Sequence, residues 1–156
     1  MEMRPLVTTI VATEAAVNML FDSAKRMPED KLVWSPLEQG RTALDQLQEC
    51  ATAPDFYLRY LDPNYTPLYN SYEEASAARK NFLTLATCEQ ECERLTGQLI
   101  DAIRAITPDR LGEMHTMMWG EQMSIAGIAG LHYWNLVYHL GQINYIQTLY
   151  GDRNMF

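Results

Sequence analysis

The chain has 156 residues, 47% of them hydrophobic and 21% charged, which is enough apolar surface for one packed domain over 1–156. A formal charge of −8 with no basic run argues against a nucleic-acid binder, which needs a cationic surface. No stretch of ~18 apolar residues could span a bilayer, and "MEMRPLVTTIVATEAAVNMLF" lacks the basic, apolar and small-residue order of a signal peptide; the expectation is a cytoplasmic protein without a disulfide framework.

The first helix is predicted from Leu6 to Lys25, with Ile10, Val17, Leu20, Phe21 and Ala24 on one side, and Pro28 stops it. A linker, "KLVWSPLEQG", leads to Ser35-Pro36-x-Glu38, which reads as a helix start with proline in the first turn. The second helix is therefore predicted over Leu37–Thr52, on a stripe of Ala43, Leu44, Leu47, Cys50 and Ala51. Residues 53–70, with three prolines and four tyrosines, read as a long crossover loop packed on the helices.

Ser71-x-x-Glu74 opens the third helix, which the apolar period carries to Ile106. Such a helix would be ~50 Å long, so a kink, break or overhang is expected in it. Cys88 and Cys92 fall in its apolar stripe and read as packing, as does Cys50. Glu89, Glu91 and Glu93 read as a solvated face. Residues 109–123, with Gly112 and Gly120, are a loop or short hairpin over one end of the molecule, and His115 within it is a surface histidine. The fourth helix runs from a Ser124 cap to Tyr150, with Gly151 beyond it. The fold class is all-α: a four-helix bundle with a long crossover between helices two and three.

The last helix poses the functional question. In "HYWNLVYHLGQINYIQTLYGD" the polar residues His132, Asn135, His139 and Gln142 share a face with Leu136, Ile143 and Ile146. No glycine-rich phosphate loop, CxxC, HExxH or GxSxG accompanies them, which removes the common nucleotide, redox, zincin and hydrolase readings.

Trp34-x-Pro36, the run from Arg41 to Cys50 ("RTALDQLQEC"), "YHLGQI" at Tyr138–Ile143 and "LYGD" at Leu149–Asp152 resemble the DinB/YfiT-like superfamily of small bacterial bundles. The resemblance covers residues 6–152. It implies an up-down-down-up bundle, a homodimer, and a divalent metal, often nickel or zinc, held by three histidines: one from helix two and two from helix four at i and i+4. Some members are thiol-dependent transferases or isomerases. Carried over position by position, the set becomes Glu49, Asn135 and His139, with Asp45 one turn before Glu49 as the alternative in helix two.

Two of three histidines are thus replaced. An amide oxygen is a poor ligand for nickel or zinc. His132 does not restore the set, because seven residues of helix separate it from His139 by ~10.5 Å of rise. Two accounts follow: a weakly bound metal in a degenerate site, or a metal-free polar network in which His139 pairs with Glu49 while Asn135 and Gln142 satisfy their neighbours. The pocket set is then Gln142, His132 and Asp45 around those three positions. A polar cleft of this kind suits a small-molecule ligand. A metal-dependent thiol S-transferase and a purely structural, partner-binding bundle are the competing functions.

Overall fold

Thr42 decides where the second long helix begins, and so positions the polar cluster described below. In the computed structural model, which describes residues 6–154, the first helix, α1, spans Val7–Lys25 as its period predicts. A short helix, α2 (Glu29–Leu32), interrupts the expected linker. Pro36–Glu38 forms only a 3-10 turn. Gly40 closes it: a Cβ there would stand 2.9 Å from the Pro36 carbonyl oxygen. The helix α3 therefore starts later than predicted and covers Ala43–Thr52, with the Thr42 hydroxyl accepting from the Asp45 amide at 3.0 Å.

The crossover is corrected as well. Pro54 sits in the first turn of a helix, α4 (Pro54–Leu61), where a missing N–H costs nothing. Tyr57, Leu58 and Leu61 of α4 are buried. The loop proper begins at Asp62 and is held down by the buried Asp55 carboxylate, which accepts from the Tyr65 hydroxyl and the Leu68 amide, both at 2.7 Å, and from Arg59 at 2.9 Å.

The single helix predicted over 71–106 is broken, one of the outcomes its length implied. Helix α5 (Tyr72–Ala78) runs into a 3-10 turn at Arg79–Asn81, and α6 (Leu85–Ala105) starts afresh. The break is made by Thr84 and Thr87, which cap each other's backbone reciprocally. Ser71 caps α5, but the Glu74 carboxylate turns to the Asn70 amide. The Glu89 and Glu91 carboxylates, expected to be merely solvated, pair with Lys25 and Arg94.

A 3-10 turn at Pro108–Gly112 leads to an antiparallel hairpin of β1 (Met114–Thr116) and β2 (Gln122–Ser124), with His115 opposite Met123. Ser124 caps α7 (Ile125–Ala129), and Gly130 separates it from α8 (Leu131–Leu149), so the predicted fourth helix is two. Gly151 takes φ +94 just beyond α8, a left-handed position that suits glycine.

The molecule is mostly helical. Helix α1 packs on α8 and α6, and α3 packs on α6 and α8. Two apolar clusters result. One joins Leu20 and Phe21 of α1 to Leu47 of α3 and Leu136 and Ile143 of α8. The other joins Leu58 and Leu61 of α4 to Leu95 and Leu99 of α6 and Ile125 and Ile128 of α7. The terminal residues of the expected span, 1–5 and 155–156, lie outside the described residues. Among the described residues no helix is long and apolar enough to cross a membrane.

Candidate functional site

Helical period places Gln46 and Glu49 of α3 toward Asn135, His139 and Gln142 of α8. The structure brings these side chains together. His139 is 1% exposed, and both its ring nitrogens have partners. Its Nδ1 lies 3.1 Å from the Gln46 Oε1 and 3.0 Å from the Gln142 Oε1. An amide oxygen only accepts, so these contacts are hydrogen bonds when Nδ1 carries the proton. Its Nε2 lies 3.1 Å from the Glu49 Oε1, an ion pair when the ring is protonated.

Glu49 is the hub. Its Oε1 also accepts from the Asn135 Nδ2 at 3.5 Å. Its Oε2 accepts from Arg41 at 2.8 Å and Arg79 at 3.4 Å. Burial pushes the Glu49 carboxyl up, but the hydrogen bond and charge of His139, followed by those of Arg41, outweigh it and bring the pKa from 4.5 to about 2. One turn earlier, Asp45 pairs with Arg41, Lys80 and, at 3.9 Å, Arg79. Burial raises its pKa too, and the hydrogen bonds from Lys80 and Arg41 lower it by more.

Glu49 and Asn135 line a cavity of about 400 Å³ between α3, α4, α5 and the hairpin tip, walled by Phe56, Tyr57, Tyr72 and Trp119. That volume lies in the range of small-molecule pockets. Arg79 reaches the same cavity from the turn after α5, with its guanidinium 6.0 Å from the Tyr72 ring centre. His139 stands behind Glu49, and Gln142 behind His139, facing an open groove with Gln46 and Tyr138. Asp45 belongs to the ion-pair cluster rather than the cavity wall.

His132 is a correction. It does not line the cavity: it is fully buried two turns before His139, its Nε2 2.8 Å from the Thr96 hydroxyl of α6. Burial lowers its pKa to about 3, so the ring is neutral. The three cysteines are buried free thiols, and burial raises each pKa, to about 12 for Cys88 and Cys92. They are poor nucleophiles.

Three of the residues around Glu49 escaped the sequence reading. Gln46 carried a signal, since it lies one turn before Glu49 on α3, whereas Arg41 precedes the Thr42 cap and reaches back to Asp45 and Glu49 from outside the helix. Arg79 carried none, because the break in the expected third helix is what turns it inward.

The residues present do not fit the nickel or zinc site that the resemblance implies. Among the described residues no three His, Cys, Asp or Glu side chains group as metal ligands. The third position offers an amide whose nitrogen, not its oxygen, is directed at Glu49. The Glu49 Oε2 is already held by two guanidiniums, whose charge repels a cation.

The sequence matches the family model described as the DinB superfamily over residues 12–143. No curated protein sequence matches it. Two solved structures share the fold: a histidine-to-alanine mutant of the mycothiol-dependent maleylpyruvate isomerase (TM-score 0.68, 14% identity) and the mycothiol-dependent maleylpyruvate isomerase itself (TM-score 0.66, 15% identity). Each match covers 90% of this chain and 61% of the other, so this chain corresponds to part of a longer protein in both cases.

Proposed function

The chain belongs to the DinB superfamily, and we propose that it is a small-molecule-binding member in which a polar network of Glu49, Asn135 and His139 replaces the three-histidine metal site. The observation that carries this reading is the cavity itself. Aromatic rings wall it, and at its inner end a carboxylate is held by an imidazole and two guanidiniums. In this reading α1, α3, α6 and α8 are the four bundle helices running up-down-down-up, with residues 62–71 crossing between the second and third. A ring of packing supports it, since each long helix touches two others.

Calorimetric titration with nickel and zinc is expected to give no tight one-to-one binding. Tight binding abolished by His139→Ala would overturn the metal-free network. A thermal-shift screen of small molecules is expected to yield ligands lost on filling the cavity with Ser76→Trp; Ser76 lines the cavity wall.

A thiol-dependent transferase or isomerase is the second reading, favoured by the fold shared with the mycothiol-dependent isomerase. Turnover of a thiol with an electrophile, abolished by Ser76→Trp, would establish it. The homodimer stays part of the proposal. The exposed Trp134, Tyr138, Tyr145 and Leu149 on one side of α8 are the surface a second copy would cover, and sedimentation equilibrium tests it.

A further inference from the structure

Resting on the reading of the cleft as a small-molecule site, we infer that α5 is a hinged cover over it, latched by the ion pairs of Arg79 and Lys80, and that entry waits on release of that latch. The segment around α5 supplies one whole side of the cavity, through Ser71, Tyr72, Glu73, Ala75, Ser76 and Arg79. On the inner side, Thr52, Ala53 and Asn135 line the same cavity yet are only 2%, 6% and 6% exposed. Solvent hardly reaches that end while the cover is shut.

Among the walls, α5 is the one held lightly. Helices α3 and α4 are anchored in the core by Leu47, Ala51, Leu58 and Leu61. Helix α5 buries Ala75 alone, and so short a helix does not persist in water without packing. The chain on either side of it is pinned. The Tyr69 carbonyl accepts from the Arg59 Nη2, and the Phe82 carbonyl from the Gln48 Nε2, each at 2.9 Å. Residues 70–81 thus form a strap between two fixed points.

The latch lies at the C-terminal end of the strap. Arg79 stands 3.4 Å from Glu49 and 3.9 Å from Asp45, and Lys80 pairs with Asp45. Both carboxylates belong to α3, so these pairs draw the strap onto the rigid wall. At the other end Tyr72 meets the Phe56 ring, centroids 6.4 Å apart, but is itself exposed. Release leaves the body of the molecule satisfied: Glu49 keeps Arg41 and His139, and Asp45 keeps Arg41. The Arg79 Nε, which has no partner among the described residues in the closed position, regains water when the strap lifts.

Thr52→Cys puts a thiol on the inner wall at nearly constant volume, and the three native cysteines, all fully buried, report global unfolding. Labelling of the full chain by fluorescein maleimide is followed by mass spectrometry, and amide exchange in α5 by NMR. Asp45→Asn removes the carboxylate that Arg79 and Lys80 share without touching the cavity wall. It is expected to raise both rates about tenfold, with native-cysteine labelling and exchange in α6 and α8 unchanged. Lys80→Gln, which loses an exposed pair, should raise them about threefold. If Asp45→Asn loosens the whole fold and the native cysteines react too, Lys80→Gln carries the test. Faster exchange in α5 without faster labelling of Thr52→Cys overturns the cover. Neither rate moving overturns the latch and the inference with it. The rates need no ligand, so an empty thermal-shift screen would sink the small-molecule reading and leave the cover standing.

Discussion

His132 and His139 stand two turns apart on α8 and meet opposite surroundings. His132 packs between the Thr96 hydroxyl and the Tyr57 ring, beside the cluster of α4, α6 and α7; its Nδ1 has no partner among the described residues, and it is held neutral. His139 is as deeply buried but has three oxygen partners, one of them a carboxylate tied to two arginines. Burial alone therefore does not decide what a histidine does. Which helix it faces does: α6 offers a hydroxyl, α3 a carboxylate and an amide.

The sharpest separation between the two ends is expected from Glu49→Leu. It strips His139, Arg41 and Arg79 of their shared partner and leaves a buried guanidinium with Asp45 as its remaining counter-charge, at a cost of about 3 kcal/mol in urea unfolding. A loss under ~1 kcal/mol would mean that the network contributes no more than an ordinary surface pair.

Acid should expose the two ends in sequence. His132 has a folded pKa depressed from 6.5 to about 3. Below pH 6.5 the unfolded chain takes up a proton that the folded one refuses, so stability present above 6.5 is lost as the pH falls. Glu49, depressed from 4.5 to about 2, keeps its contribution above pH 4.5 and loses it on the way to pH 2. The slope reaches ~1.4 kcal/mol per pH unit for one group. His132→Gln is expected to flatten the stability profile from pH 6.5 down to about 3, by about 2 kcal/mol between pH 6.5 and 4.5; Glu49→Gln should flatten it only below pH 4.5. Denaturant midpoints across pH give the answer, and a profile unaltered by His132→Gln would refute the neutral, sealed ring.

The smallest effect belongs to Thr96→Val, which removes the hydrogen bond of His132 without altering shape. About 1 kcal/mol of stability is expected to be lost, with ligand binding in the cleft unchanged. A change in ligand affinity would show that the two ends communicate through α8.

How much of this was legible beforehand varies with the range of the interaction. The period of α1, the Ser124 cap and the hairpin region were readable because they depend on neighbours within a few residues. So was the polar face of α8, since i, i+3 and i+4 spacing is local. The start of α3 was misplaced because Ser35-Pro36 imitates a cap, while Gly40 and the Thr42 cap override it. The helix within the crossover is hidden by the three prolines of residues 53–70, of which Pro54 occupies a first turn that tolerates it. His132 was placed in the pocket because it shares a nominal face with His139, although seven residues advance a helix past one neighbour to another.

By itself the sequence determined the helical class, most helix faces and the polar face of α8, since each follows from residue identity and short-range spacing. Only the tertiary structure decided that Arg79 reaches the cleft, that His132 does not line it, and that His139 meets Glu49. Those outcomes depend on how α3, α5, α6 and α8 are set against one another, and side chains far apart in the chain become each other's surroundings only after that packing is made.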